Sequence, residues 1–394
     1  MIKRLTFFLF SSVILLSCCP GLSSADRSSE YIRAAILQNA DDAVIAIRGS
    51  YKIVDLETNK LLVDSRRLVK SRVKPYQNGL FVGKNFYSSK KLRVQVEKDV
   101  AVFFGEKKLP MNFTKDRYKR YRGLLDIIVD QDDKLLLVNK LPLERYIKGV
   151  LYHEVTDRWP MEAMKAQAVA ARTYAVYQLE SNQKQFFDVT SDIYSQVYGG
   201  RSAEKFRTNI AVDETRGEVL TYNGKIVPAY FHSNCGGHTE DVRELWNHDL
   251  EPLYGRICEF CSNAAHSHWK RNFQSSEVQK TLNERGMNVG LIKEIIIKDK
   301  NQSGRIRTLE IHTREGKTHT ISGKKFREYL GPNQLKSNKY DIVMKGYYFD
   351  VIGQGWGHGV GMCQWGAYEM ARKRNTYTEI LQYYYPHALI SQLK

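Results

Sequence analysis

A single carboxylic acid, Glu154, stands just ahead of a run of strong helix formers. Apolar side chains flank it in the sequence, namely Val150, Leu151, Val155 and Trp159. Burial among such side chains raises the pKa of a carboxyl group. A carboxyl group that stays protonated near neutral pH can donate a proton to a leaving oxygen. Glu154 is therefore a candidate general acid.

A helix is expected to follow this acid. Pro160 suits the first helical turn, and good helix formers continue to Glu180, so the sequence predicts a helix over about 160–180. Lys165 and Arg172 lie seven residues apart and can share a helix face that borders Glu154. We expect these two cations to contact substrate. A buried salt bridge between Glu154 and Arg172 is the structural alternative.

His153 next to Glu154 matches the start of a zinc-protease motif, but that motif requires a second histidine where Asp157 stands. The sequence therefore excludes a metalloprotease of this type. Asp157 can act as a second carboxylate or as a solvated helix cap.

Cysteine and histidine residues form a second group. Cys258 and Cys261 are separated by two residues and lie downstream of His232, Cys235 and His238. Thiolates and imidazoles at such spacings suit a tetrahedral structural zinc. In an exported protein, Cys235 can instead form a disulfide with Cys258 or Cys261. Zinc, a disulfide and free thiols all remain open from the sequence.

The pattern of the whole chain predicts an α+β fold. Residues 31–138 alternate apolar and polar side chains in short runs, which indicates small antiparallel β structure. Downstream, the sequence predicts helices over about 202–215, 366–373 and 377–385, a hairpin at Asn223-Gly224 and paired strands over 292–311. We expect a β-rich accessory region over 26–138 and a helix-plus-antiparallel-sheet catalytic domain over 139–394.

The N-terminus is typical of an export signal. Two basic residues precede an apolar run from Leu5 to Leu16, which is short for a membrane span. We expect a signal peptide over 1–25, cleaved after Ala25. Alternatively, Leu15-Leu-Ser-Cys18 is an imperfect lipobox that would place a lipid on Cys18 and tether the protein to a membrane. An uncleaved anchor helix would give the same topology. All three alternatives place the protein in the periplasm or cell envelope.

The chain is strongly basic, with 60 Lys and Arg against 43 Asp and Glu and a net charge of +17. Such a polycation attracts anionic polymers or anionic lipid. An exported protein rarely meets nucleic acid, and no nucleic-acid motif stands out, so we expect no nucleic-acid partner.

Four blocks follow one another from about Tyr121 onward. They are Leu141 to Tyr177, Ala211-Val-Asp-Glu-Thr-Arg-Gly-Glu-Val-Leu-Thr-Tyr, Ala229-Tyr-Phe-His-Ser-Asn-Cys-Gly-Gly-His-Thr-Glu-Asp with Trp246, and Gly355-Trp-Gly-His-Gly-Val-Gly-Met-Cys-Gln-Trp-Gly-Ala. Together they resemble the sporulation protein IID / LytB family of bacterial cell-wall lytic enzymes and amidase enhancers.

The resemblance implies that Glu154 is the catalytic acid and base of a lytic transglycosylase. Such an enzyme cleaves MurNAc–GlcNAc bonds in peptidoglycan strands that have lost their stem peptides. One carboxyl group is enough because the C6 hydroxyl of the substrate attacks the anomeric carbon and leaves a 1,6-anhydro end. Free lactyl carboxylates on such strands also suit the positive charge of the chain.

Other side chains are expected to bind the sugars. Gln196 and Tyr198 can face a glycan, since amides bond hydroxyl groups and aromatic rings stack on sugars, although turn packing explains them equally well. His358 and Gln364 lie in or beside a glycine-dense loop that lets a ligand approach closely. The family further implies an N-acetylmuramoyl-L-alanine amidase as partner. It also leaves a second possibility open, a wall-binding amidase enhancer without catalytic activity.

Overall fold

The computed structural model describes residues 31–103, 118–183, 185–192, 194–246 and 248–393. The expected signal peptide over 1–25 and its Cys18 lie outside these ranges. Within the described ranges, no helix combines the length and the apolar composition that a membrane crossing needs.

The N-terminal half is built on one large sheet. Its strands are β1 (Tyr31–Ala40), β2 (Ala43–Asp55), β3 (Leu61–Tyr76), β4 (Gly79–Val82), β5 (Asn85–Tyr87), β6 (Lys91–Val96), β7 (Val100–Phe103), β8 (Tyr118–Tyr121), β9 (Leu124–Val129), β10 (Leu135–Pro142) and β11 (Val189–Thr190). The main path runs β11-β1-β10-β9-β6-β2-β3-β4-β5, while β7 pairs with β2 and β8. Neighbours are antiparallel except β1 and β11, which are parallel. The sheet therefore continues through position 138, inside β10.

Eight helices lie in the described part of the chain. They are α1 (Leu143–Glu154), α2 (Met161–Ser181), α3 (Phe206–Glu214), α4 (Val242–Trp246), α5 (Ser275–Glu284), α6 (Gly323–Leu330), α7 (Gln364–Arg372) and α8 (Tyr377–Tyr384). Short 3₁₀ turns occupy Gly200–Ala203 and Glu251–Leu253. The helices α2, α7 and α8 begin and end within two residues of the positions predicted from sequence, whereas α3 begins four residues late because a 3₁₀ turn precedes it.

Smaller sheets complete the second half. Strands β12 (Glu218–Tyr222), β13 (Lys225–Ile226) and β22 (Leu389–Gln392) form one sheet, and β14 (Phe231–His232) pairs in parallel with β21 (Met362–Cys363). A further antiparallel sheet contains β15 (Trp269–Gln274), β20 (Tyr348–Gly353) and β19 (Tyr340–Lys345). Another antiparallel sheet contains β16 (Ile292–Lys300), β17 (Ile306–Thr313) and β18 (Thr318–Ser322). The predicted hairpins at Asn223-Gly224 and over 292–311 are confirmed, as is the α+β fold.

Three large hydrophobic cores and one small cluster hold the described part of the molecule together. The first joins the large sheet to α1 and α2, and the second joins α2 to α7 and α8. The third contains residues between Trp269 and Val351 only. Helix α2 serves the first two cores because it is apolar all round: Met164 and Ala168 belong to the first, and Ala166 and Val169 to the second.

Candidate active site

Glu154 is the last residue of α1, and the helix holds it through its buried face. Leu143, Ile147, Val150 and Leu151 are buried at spacings of three and four residues. Position 154 continues this spacing, so the carboxyl group lies on the side of the helix that faces the protein. Its side chain is consequently half-buried at the point where the core meets the surface.

Gln364 is the nearest polar partner of this acid. Its side-chain amide donates a hydrogen bond to Glu154 Oε2 at 3.1 Å. Gln364 is the first residue of α7 and directly follows β21, whose parallel pairing with β14 fixes where the helix begins. Gly361, one residue before β21, has a φ of +71°, and a Cβ there would collide with the carbonyl oxygen of Tyr230. A glycine is required at this position for the two strands to meet.

The pKa of Glu154 is raised to about 7, chiefly because burial disfavours the charged form. Hydrogen bonds from the Gln364 side chain and the Val197 backbone act in the opposite direction. Neither of these two groups is acidic. The carboxyl group is therefore protonated in a substantial fraction of molecules near neutral pH, which is what a general acid needs.

Gln196 and Tyr198 flank Val197, whose backbone is hydrogen-bonded to Glu154, and each has only about 1% of its surface exposed. The Gln196 amide accepts a hydrogen bond from Tyr146 Oη at 3.2 Å and donates to the Ala171 carbonyl at 3.2 Å. The hydroxyl of Tyr198 donates to Asn139 at 2.8 Å. In this structure both side chains pack the interior rather than present a sugar-binding surface.

Lys165 and Arg172 form ion pairs with carboxylates other than Glu154. Lys165 pairs with Glu214 at 2.7 Å and with Glu162 at 3.2 Å. Arg172 is fully buried and forms a two-pronged ion pair with Glu144, with both N···O distances at 2.8 Å. The alternative of a Glu154–Arg172 salt bridge is thus wrong, because the guanidinium of Arg172 is already occupied by Glu144.

A different set of cations lies close to the end of α1, which carries Glu154. A groove of about 580 Å³ is lined by Tyr152, Thr156, Asp157, Arg158, Lys205 and Arg207, and we call it the basic groove. Tyr152 and Thr156 stand two residues to either side of Glu154, so the groove borders the end of α1. Lys205 Nζ lies 4.9 Å from the centre of the Tyr152 ring. Three cations against one carboxylate make this surface attractive to anions. The spacing of residues along α2 could not have indicated it.

An aromatic cleft of about 230 Å³ opens near the other side of the site. It is lined by Tyr174, Tyr194, Ser195, Tyr230, Phe231, Trp246 and His358. Tyr230 and Trp246 stack with ring centres 4.4 Å apart. One short segment links this cleft to Glu154. Ser195 lines the cleft, and the backbone of Val197, two residues later, is hydrogen-bonded to the Glu154 carboxyl group.

His358 is neutral in this cleft. The Val360 N–H donates to His358 Nδ1 at 3.1 Å, so the ring proton is on Nε2, which bonds the Phe231 carbonyl at 3.0 Å. Burial lowers the pKa of His358 to about 4. The imidazole is therefore a neutral, oriented side chain with one edge on the cleft.

The cysteines predicted as metal ligands do converge, but with a different set of partners. Cys235, Cys258, Cys261 and Cys363 are buried, their sulfur atoms lie within 4.8 Å of one another, and none of the four is in a disulfide in this structure. The two histidines of the prediction lie outside this group. His232 Nδ1 is hydrogen-bonded to the Val360 carbonyl at 3.1 Å and His238 Nδ1 to the Thr239 carbonyl at 2.6 Å. Sequence spacing missed Cys363 because 101 residues separate it from Cys261 along the chain.

Comparison with known proteins supports the family resemblance found in the sequence. The family model described as Stage II sporulation protein matches residues 131–222, and a model for a domain of unknown function matches residues 260–361. An uncharacterized protein of Brachyspira hyodysenteriae (strain ATCC 49526 / WA1) is 34% identical over 362 residues, covering 92% of this chain and 93% of that protein.

Two relatives from Bacillus subtilis (strain 168) carry names. Its amidase enhancer is 27% identical over 284 residues, covering 61% of this chain and 39% of the enhancer. Its stage II sporulation protein D is 30% identical over 270 residues, covering 65% of this chain and 76% of that protein. The chain therefore belongs to the stage II sporulation protein D family.

Proposed function

We propose that this protein is an exported lytic transglycosylase that cleaves MurNAc–GlcNAc bonds in peptidoglycan strands lacking stem peptides. The observation that carries the proposal is Glu154, a half-buried carboxyl group with a pKa of about 7 and a hydrogen bond from Gln364. This is the environment that a proton donor needs in order to work at neutral pH.

The reaction needs one carboxyl group and no added nucleophile. Protonated Glu154 donates its proton to the glycosidic oxygen, and the bond from that oxygen to C1 of the muramic acid breaks. The C6 hydroxyl of the same sugar attacks C1, and the resulting Glu154 carboxylate takes the hydroxyl proton. Atoms and charge balance without water, and the side chain returns to its starting state. The Gln364 amide supports both states by holding the carboxyl group in place.

Two surfaces on the sides of the site suit such a substrate. The aromatic cleft offers stacked rings and a neutral His358 to sugar faces and hydroxyl groups. The basic groove offers Arg158, Lys205 and Arg207 to the lactyl carboxylates that become free when stem peptides are removed. This charge preference supports a stripped strand over an intact one.

Substituting Glu154→Gln tests the proton donor. The variant keeps the shape of the side chain and its contact with Gln364, so we expect a folded protein that is at least ~100-fold slower on stripped strands. Mass spectrometry of the products should show 1,6-anhydro ends with the parent protein. Glu284→Gln is the matched control, since this exposed glutamate at the end of α5 lies outside the site and a transglycosylase should retain its rate and its products when it changes. Unchanged cleavage by Glu154→Gln would refute the assignment.

The name of one relative, amidase enhancer, supports a second candidate function. In that case the protein binds glycan strands and stimulates an N-acetylmuramoyl-L-alanine amidase without breaking a bond itself. The same experiment distinguishes the two. Strand binding without any new ends, together with faster turnover by an added amidase, would favour the enhancer. Reducing ends in place of anhydro ends would indicate hydrolysis with a second carboxylate.

A further inference from the structure

Four buried cysteines from three separate segments meet at one point of the second core. Cys235 follows β14, Cys258 and Cys261 lie in the loop before β15, and Cys363 ends β21. The parallel pairing of β14 with β21 brings the first and last of these segments together. All four side chains are at most 1% exposed.

The spacing of the sulfur atoms suits one tetrahedral ion. Zinc binds thiolate sulfur at about 2.3 Å, so four ligands around one ion lie roughly 3.8 Å from each other. The four sulfur atoms here lie within 4.8 Å of one another, and Cys235 and Cys261 are 3.3 Å apart. A cluster of several iron atoms would hold its cysteines farther apart than this.

Hydrogen-bond donors point at two of the sulfur atoms. The backbone N–H groups of Cys235 and Gly366 approach Cys363 Sγ at 3.3 and 3.4 Å. The hydroxyl of Tyr384 lies 3.1 Å from Cys258 Sγ. Such donors stabilise a thiolate and are common around metal-bound cysteines.

Two cations hold the loop that carries Cys235. Arg305, which is buried, donates to the Cys235 carbonyl at 2.9 Å, and Lys339 donates to the Gly236 carbonyl at 2.7 Å. A divalent ion with four thiolates carries two net negative charges. Positive groups next to the loop offset this charge in a place where water is excluded.

We propose that Cys235, Cys258, Cys261 and Cys363 bind one structural zinc ion. Each thiol releases its proton to solvent as the ion binds, and the metal changes no oxidation state. The ligand set replaces the two histidines expected from sequence spacing with Cys363. The three segments consist only of loops and short strands, and the ion would link them to one another within the second core.

The position of Cys363 connects this site to the catalytic one. Its sulfur caps the N-terminus of α7, and the next residue is Gln364, which bonds Glu154. The zinc is thus a positioning element for the amide and takes no part in the reaction itself. Whether the protein cleaves glycans is irrelevant to the presence of the ion, so the two proposals can fail separately.

Metal analysis of the full-length protein, purified without a metal-affinity step, tests the site. We expect one equivalent of zinc per chain in the parent protein and none in Cys258→Ser. Replacing zinc with Co²⁺ in the parent protein should give the intense charge-transfer absorption of thiolate ligands. This measurement needs no variant, so it stays informative if Cys258→Ser fails to fold. Tyr384→Phe keeps all four ligands and should weaken zinc binding by about tenfold.

Ser262→Ala is the matched control, because this residue is exposed beside Cys261 and should leave the zinc content unchanged. Two results would overturn the proposal. One is a metal-free protein whose intact mass shows a disulfide within the cluster. The other is four free thiols that take up neither zinc nor Co²⁺. Iron in place of zinc would contradict the identity of the metal.

Discussion

At the level of single residues, the environment of Glu154 gives this carboxyl group a pKa of about 7, which suits the proposed role of proton donor. Burial raises the pKa of Glu154, and the amide of Gln364 partly opposes this by stabilising the carboxylate. In the proposed reaction the glutamate must be protonated at the start, so kcat/KM should fall as the pH rises through about 7.

Gln364→Leu removes the group that stabilises the charged form of the acid. The pKa of Glu154 should then rise, and the alkaline limb of the pH profile should move to higher pH. The measurement is kcat/KM on stripped glycan strands between mildly acidic and mildly alkaline pH. Gln382→Leu, an exposed position on α8, is the control and should leave the limb in place. A shift to lower pH in Gln364→Leu would contradict the assigned role of the amide.

The sequence singled out Glu154 as a candidate acid but could not indicate its hydrogen-bond partner. The apolar neighbours of Glu154 correctly indicated burial, because Val150 and Leu151 lie four and three residues before it on the buried face of α1. Gln364 is 210 positions away and was expected to contact substrate. Only the pairing of β14 with β21 brings it to Glu154, and these two-residue strands are too short to leave a periodic pattern.

At the scale of secondary-structure elements, the Arg172–Glu144 pair connects α1 and α2 to the residues around β12. Arg172 also donates to the carbonyls of Glu218 and Val212, both at 3.1 Å, and Glu144 accepts from the Gly217 N–H at 3.0 Å. Every acceptor around the buried guanidinium therefore comes from a different part of the chain. The ion pair fixes where α1, and hence Glu154, lies against α2.

Glu144→Gln should destabilise the protein by about 3 kcal/mol or more, because it leaves the buried Arg172 charge without its counter-ion. Urea unfolding followed by circular dichroism measures this loss. Asp64→Asn breaks the exposed pair with Lys52, whose N···O distance is 3.7 Å, and should cost less than about 1 kcal/mol. Equal losses in the two variants would mean that the buried pair has no special role.

The boundaries of α2, α7 and α8 were predictable for a local reason, whereas α1, α4, α5 and α6 were not predicted. Pro160 and the alanine-rich run after it define α2, and Pro386 ends the last helical segment near α8. The side-chain contacts of α2 were not predictable, since a helix that is apolar all round gives no preferred face. For that reason Arg172 was expected near Glu154, whereas the structure pairs it with Glu144.

For the whole molecule, the net charge of +17 should govern how strongly the protein holds an anionic glycan strand. Binding should weaken as ionic strength rises, because salt screens exposed charges. Lys205 and Arg207 should account for part of this dependence, since both line the basic groove next to the acid.

The double variant Lys205→Ala and Arg207→Ala should weaken binding to stripped strands by about 1 kcal/mol, or roughly fivefold in Kd, and should flatten its salt dependence. Co-sedimentation with stripped and intact strands measures both effects. Lys280→Ala with Lys317→Ala removes the same charge from exposed positions near the third core and should have a smaller effect. Equal weakening by the two double variants would show that total charge, and not the groove, determines binding.

Helix α2 is shared by the first and second cores, and residues within the same helical turns belong to one or the other. Neither core can melt while the other keeps this helix intact, so the large sheet and the cysteine-bearing half should unfold as one cooperative unit. A destabilising change far out in the N-terminal sheet would consequently reduce the folded fraction of the protein without touching any group in the cleft.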